Sequence, residues 1–121
     1  MDETDASREP AGEVISLASA RPPERVTFTR LELQQILIVY GRMVAKGEWR
    51  DYALDFGRES ATFAVYRRAS EMPLYRIVKT PRLAGKQGAF SVVASAGYIL
   101  RRGHDLDRVL MVLEKPSKQT T

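Results

Sequence analysis

The sequence predicts a single α+β domain, in which an antiparallel sheet of about five short strands carries an N-terminal and a C-terminal helix on one face. Three observations predict this fold: a helical apolar stripe early in the chain, several segments in which apolar residues alternate with others, and a second helical stripe near the end. The 121 residues are the length of one domain. We expect a disordered acidic leader over residues 1–24, the domain over 25–116 and a frayed polar tail over 117–121.

The leader is rich in Ala, Ser, Glu, Arg and Pro, a composition typical of disordered segments. Its apolar run, Val14-Ile15-Ser16-Leu17, could dock on the domain or on a partner, or simply belong to a flexible arm. Residues 1–24 carry six acids and two bases, which is −4, so a net charge of +4 leaves +8 on the rest of the chain. The positive domain either attracts an anionic partner or serves solubility alone. Because an acidic arm can compete for its own basic domain, deletion of residues 1–24 is predicted to raise the affinity for polyanions.

The first helix is predicted over residues 28–47. Thr29 and Glu32 have the spacing of a capping box, and Lys46-Gly47 supplies a cation and a left-handed stop at the other end. The residues with the three- and four-residue spacing of one buried face are Leu33, Ile36, Leu37, Tyr40 and Val44.

Alternating apolar residues predict two strands in residues 51–57 and 61–68. A four-residue loop over 57–60 pairs them so that all apolar partners share one face. The predicted pairs are Phe56 with Ala61, Leu54 with Phe63, and Tyr52 with Val65.

A second hairpin loop is predicted over residues 69–73. It places Arg68 opposite Leu74, Tyr66 opposite Arg76 and Val65 opposite Ile77, and it keeps Tyr75 and Ile77 on the same inner face. A shift of one residue would move the apolar side chains of both hairpins to the opposite face of the sheet.

The remaining chain predicts a basic loop over 79–90, short strands over 90–94 and 98–101, and a final helix. Asp105 is the predicted N-cap of that helix and Pro116 its stop. The apolar stripe of the helix consists of Leu106, Val109, Leu110 and Leu113.

The outer sheet face is the first candidate binding site. The predicted register exposes Tyr66, Arg68 and Arg76 there, with Arg82 and Lys86 of the basic loop nearby. An aromatic residue flanked by arginines can stack a base and hold phosphates, so this pattern indicates single-stranded nucleic acid or another polyanion. The same face could instead be a protein–protein contact, including a homodimer, or an ordinary solvated surface.

A secondary anion site is predicted at Arg101 and Arg102, which lie just before the start of the final helix, where backbone amides and the helix dipole favour anions. Asp105 argues against this site because its carboxylate already occupies those amides. The alternative is a charge pair beside a capped helix.

Several classes of activity have no support in the sequence. The chain has no cysteine and one histidine, His104, which disfavours thiolate chemistry and protein-only zinc sites. It contains neither a GxSxG element nor a P-loop, and no apolar run is long enough to cross a membrane. We therefore predict a non-enzymatic cytoplasmic protein with no catalytic residue, no metal, no cofactor and no membrane association.

Three segments carry a resemblance to a known family: IVYGRMVAKGEWRDYALDFG, FAVYRRASEMPLYRIVKTP and QGAFSVVASAGYILRRGHDLDRVL. Together they resemble a small family of alphaproteobacterial proteins catalogued as domain of unknown function 2794, over about residues 26–113. The resemblance implies a bacterial cytoplasmic single-domain protein and implies no activity, substrate or site residue. The function predicted from the residues is a binding or regulatory module that engages an anionic partner.

Overall fold

The computed structural model describes residues 24–68 and 72–114. Within these ranges the chain forms two helices and five strands, in the order α1 Arg30–Ala45, β1 Asp51–Phe56, β2 Ala61–Tyr66, β3 Tyr75–Lys79, β4 Phe90–Ala94, β5 Ile99–Gly103 and α2 Leu106–Glu114. The strands form one antiparallel sheet in the order β1-β2-β3-β4-β5. The predicted α+β fold is confirmed.

Some predictions fall on residues outside these ranges. The leader predicted over 1–24 lies outside the described residues except for Glu24, and so do the tail over 117–121 and the helix stop at Pro116. The predicted loop over 69–73 is described only from Met72 onward.

The start and end of α1 follow from local sequence. The backbone amide of Thr29 donates to Glu32 Oε1 at 2.8 Å, and the amide of Glu32 donates to Thr29 Oγ1 at 3.1 Å, which is the predicted capping box. After the helix, Gly47 has a φ of 78°, the left-handed conformation that commonly follows a helix end. Both predicted helix signals are confirmed.

Both helices pack on one face of the sheet, called here the inner face. Phe63, Val65, Ile77 and Val92 alternate along β2, β3 and β4 and are fully buried there. They belong to one apolar cluster that also contains residues of both helices: Ile36, Val39, Met43, Leu106, Val109, Leu110 and Leu113. The core therefore lies between the sheet and a helix layer.

The buried side of α1 differs from the predicted stripe. The residues buried along α1 are Ile36, Val39 and Met43. Leu37 and Val44, which the prediction placed in the core, are 37% and 41% exposed. The prediction was wrong for these two residues.

The position of α2 explains the difference. It packs beside α1, where Arg42 Nη1 lies 2.6 Å from Glu114 Oε2. Val39 is on the same side of α1 as Arg42, so contact with α2 buries it. The opposite side of α1, with Leu37 and Val44, has no helix beside it among the described residues.

The first hairpin has the predicted register: Phe56 pairs with Ala61, Leu54 with Phe63 and Tyr52 with Val65. The second hairpin does not. Its observed pairs are Phe63 with Ile77, Ala64 with Arg76 and Val65 with Tyr75, a shift of two residues from the prediction. A shift of two keeps every side chain on its predicted face, so Tyr75 and Ile77 still point inward.

Lys79 gives a physical reason for the observed register. It lies opposite the small residue Ala61, whereas the predicted register would place it opposite Phe63. From there its Nζ donates to Glu32 Oε1 at 2.8 Å and to the Thr27 carbonyl at 2.9 Å. The observed register therefore satisfies an ammonium group that enters the helix layer.

The last three elements agree closely with the sequence. Strand β4 has the predicted bounds, whereas β5 is Ile99–Gly103 instead of 98–101 and meets β4 with an irregularity between Val92 and Val93. The amide of Asp107 donates to Asp105 Oδ1 at 3.1 Å, as expected for an N-cap side chain at the start of α2. The predicted loop between β3 and β4 contains one 3-10 turn, Pro81–Leu83.

Candidate anion-binding face

The outer sheet face is the side opposite the two described helices. Its central residues alternate with core residues along the strands, and they are Thr62, Ala64, Arg76, Val78, Ser91, Val93 and Arg102. None of these seven belongs to the apolar core cluster. This face is therefore the broad sheet surface that α1 and α2 leave for other contacts.

Arg102 has the most unusual environment on this face. It is directly opposite Ser91, a 2% exposed polar residue between two core positions of β4. The Arg102 Nη1 atom is buried and has no hydrogen-bond partner among the described residues. A buried charged donor without an acceptor is costly, and an oxyanion is the group that best satisfies a guanidinium.

Arg76 lies on the same face as Arg102, two strands away. Its neighbours across the sheet are Ala64 and Val93, and it is half-buried. Two strand spacings of about 4.8 Å and two residues along a strand separate the Cα atoms of Arg76 and Arg102, which are therefore roughly 12 Å apart. This spacing suits two arginines that hold one extended anion or two adjacent phosphates.

Two further predicted residues, Arg82 and Lys86, lie at one end of the sheet. They follow β3 and precede β4, at the end where β1 turns into β2. Arg82 Nε is 3.7 Å from Glu59 Oε1 in that turn, and both side chains are well exposed. Arg102 is one residue from the end of β5 at this same end of the sheet, so Arg82 and Lys86 can extend a site centred on it.

Tyr66 and Arg68 lie at the opposite end. Tyr66 is the last residue of β2 and pairs with Asp51 of β1, and Arg68 follows it on the exposed connection. Three strand spacings and four residues along a strand separate Tyr66 from Arg102, so the two residues are on the order of 20 Å apart. The structure therefore does not assemble the seven predicted site residues into one patch.

Arg101 does not lie on the same side of the sheet as Arg102. It lies opposite Val92, a core residue, so it belongs to the inner side of the β5 edge and not to the outer face. A cavity of about 280 Å³ at this edge is lined by residues 101–105 together with Arg108 and Val109. Arg101 and Arg102 therefore line a concavity, and the Asp105 cap lies at its helix end.

Two residues of this region were missed by sequence reasoning. Ser91 carries a signal that could have found it, because it is a polar residue inside the apolar strand FSVVA. Arg108 carries a weaker signal, since one arginine in the first turn of an amphipathic helix is ordinary. Only the tertiary structure brings Arg108 to the cavity that Arg101 and Arg102 line.

The described residues carry 15 Lys and Arg against 9 Asp and Glu, which is +6. Among them, no three acidic or histidine side chains are grouped as metal ligands. Neither described helix is long and apolar enough to cross a membrane.

The fold and this face together define a small two-layer α+β domain with an arginine-bearing sheet face. The chain belongs to the family described as "Protein of unknown function (DUF2794)", whose model matches residues 26–110. The resemblance to domain of unknown function 2794 is thereby confirmed. Comparisons with curated proteins and with solved structures gave no match.

Proposed function

We propose that this protein is a non-enzymatic binding module that engages an anionic partner through the outer face and the adjoining β5 edge. The observation that carries the proposal is the buried Arg102 Nη1 without a hydrogen-bond acceptor. A phosphate or carboxylate oxygen would supply that acceptor, and Arg76 would hold a second one. Because cysteine is absent, the cytoplasm is the compartment we propose.

Single-stranded nucleic acid is the partner class to test first. Its phosphates recur at a spacing that can follow Arg76 and Arg102, and its bases offer a stacking partner to Tyr66. Because Tyr66 is about 20 Å from Arg102, one nucleotide cannot contact both residues. A chain of several nucleotides can, so we expect affinity to rise with oligonucleotide length.

The test measures fluorescence anisotropy of labelled 3- and 12-nucleotide RNA and DNA strands at 50 and 150 mM salt. Arg76→Ala with Arg102→Ala should weaken 12-nucleotide binding at least about tenfold. It should also make the slope of log affinity against log salt shallower by about 1.4, since each lost phosphate contact contributes about 0.7. Arg68→Ala with Arg76→Ala should weaken binding as well, and Tyr66→Ala should affect the longer strand alone.

The matched control is Arg30→Ala with Lys46→Ala, which removes the same charge from the first residue of α1 and from its C-cap. Both residues are exposed on the helix layer, away from the outer face. Circular dichroism and thermal melts establish that each variant is folded. Equal losses in the two double variants, or no binding at 50 mM salt, would contradict the proposal.

A specific observation favours the alternative of a protein–protein contact or homodimer on the same face. Ala64, Val78 and Val93 put small or apolar side chains at its centre, and Ala64 is only 8% exposed. Such a surface suits close packing against another protein. Light scattering that gives twice the monomer mass, with loss of the dimer on Val78→Glu, would favour this alternative over anion binding.

A further inference from the structure

The inner face of β1 is covered only in part by the described helices. Tyr52 and Leu54 point to this face, because they pair with the core residues Val65 and Phe63. They are nevertheless 45% and 39% exposed. The helix layer therefore leaves these two side chains of the edge strand partly exposed.

The neighbouring side of α1 is apolar as well. Tyr40 of α1 contacts Tyr52 of β1, with ring centroids 5.0 Å apart, so this side of the helix faces β1. Leu33, Leu37 and Val44 lie on the same side at helical spacing, and the last two are exposed. We call the surface formed by Leu33, Leu37, Val44, Tyr52 and Leu54 the α1–β1 groove.

The chain reaches the domain at one end of this groove. The amide of Val26 donates to the Gly57 carbonyl at 2.7 Å, and Arg25 Nη1 donates to the Phe56 carbonyl at 3.1 Å. Phe28 then packs edge-on against Phe56, with centroids 6.4 Å apart. Arg25 and Val26 therefore lie beside the end of β1, the strand that forms one wall of the groove.

The leader has an apolar segment at a suitable distance. Six residues, 18–23, separate Leu17 from Glu24, and they span up to about 20 Å when extended. The six residues of β1 span a similar length, so the run Val14–Leu17 can reach any point of the groove. The charge of −4 on residues 1–24 also favours contact with a domain of opposite sign.

A second copy of the chain is the alternative occupant of this edge. A segment tethered to the same chain has the advantage of a high effective concentration over a second copy.

We propose that the leader segment Val14-Ile15-Ser16-Leu17 docks in the α1–β1 groove and covers the exposed inner face of β1. The apolar side chains of the segment replace water on Leu37, Val44, Tyr52 and Leu54. The observations behind this docking concern the inner face and do not rest on the proposed anion binding at the outer face.

Cross-linking in the full chain tests the proposal, and no other thiol reacts because the protein has no native cysteine. The test variant combines Ile15→Cys with Leu54→Cys and is treated with a short bis-maleimide. The matched control combines Ile15→Cys with Ala53→Cys, an exposed neighbour on the same strand that points to the other face. We expect the test pair to form an intramolecular cross-link at least about tenfold faster than the control pair.

Equal rates for the two pairs would overturn the proposal, because they would mean that the leader contacts the inner and outer faces of β1 equally often. A cross-linked dimer as the main product would also overturn it and would identify a second copy as the occupant.

Binding of an apolar fluorescent dye gives a second readout in the full chain. Val14→Asn, Ile15→Asn and Leu17→Asn together should uncover the groove and raise dye fluorescence severalfold. The control changes three other leader residues, Ala6→Asn, Ala11→Asn and Ala20→Asn, and should leave the fluorescence unchanged. Equal fluorescence from the native chain and both variants would mean that the groove is open in the native chain and would refute the docking.

Discussion

Gly88 lies so close to the backbone of Gly103 that a Cβ atom at residue 88 would be 2.2 Å from the Gly103 carbonyl carbon. Gly88 also has a φ of 106°, a conformation that side chains other than glycine rarely adopt. The contact fixes the connection between β3 and β4 against β5, one residue from Arg102.

Gly88→Ala should therefore destabilise the fold strongly. The clash involves backbone on both sides and cannot be relieved by a change of rotamer, and the positive φ adds about 1–3 kcal/mol of strain. We expect the free energy of unfolding to fall by at least about 3 kcal/mol in urea titrations. Gly85→Ala is the control in the same connection, because a Cβ there meets no atom within 4 Å. A loss of similar size for Gly85→Ala would contradict the explanation.

The buried side of α1, which differs from the predicted stripe, gives a second prediction. Met43 is 8% exposed in the core, whereas Met111 on α2 is 54% exposed. Met43→Ala should lower the free energy of unfolding by about 2–4 kcal/mol, because it removes buried apolar atoms and leaves a cavity. Met111→Ala should change it by less than about 0.5 kcal/mol. Comparable values for the two variants would mean that the buried side of α1 has been assigned wrongly.

Local signals in the sequence were sufficient for parts of the fold. The Thr29–Glu32 capping box and the β1–β2 register were predictable, because each depends on residues within one turn or one short loop. The β2–β3 register was not, since apolar alternation has a period of two and a shift of two residues leaves it unchanged. The reach of Lys79 to Glu32, which favours the observed register, depends on where α1 lies over the sheet.

At the candidate site, too, the features that were not predicted depend on tertiary structure. Arg76 and Arg102 were both predicted as site residues. The burial of Arg102 Nη1 could not be predicted, because it depends on packing around β5. The separation of Tyr66 from Arg102 follows from the order and register of all five strands. Sequence pattern predicted pairings for the first two hairpins only, so it could not place these two residues relative to each other.

Tyr40 gives a pH-dependent prediction. Burial raises the pKa of Tyr40 above its ordinary value of 10.0, and the charges of Asp51 and ionised Tyr52 raise it further. A raised pKa in the folded state means that this stabilising contribution is complete below pH 10 and is lost as pH rises through the folded pKa. The stability advantage of the native chain over Tyr40→Phe should therefore shrink above pH 10.

Urea titrations of the two proteins between pH 8 and pH 11 measure this change. Asp51→Asn is the control, because removal of the carboxylate removes one cause of the raised pKa of Tyr40. In that background the advantage should shrink less steeply. A stability difference that stays constant across this pH range would show that Tyr40 does not titrate differently in the folded and unfolded chain.

The charge of the leader gives the last prediction, which depends on the proposed anion binding. Residues 1–24 carry −4 and the rest of the chain +8, so the leader is a tethered competitor for any polyanion. Changing its acids to the corresponding amides at Asp2, Glu3, Asp5, Glu9 and Glu13 should raise affinity for a 12-nucleotide strand by about three- to tenfold at 50 mM salt. The gain should decline at 150 mM salt, because salt screens exposed charges. Deletion of residues 1–24 should raise affinity in the same direction. An unchanged affinity in both proteins, with binding otherwise intact, would mean that the acidic leader does not compete for the arginine-bearing face.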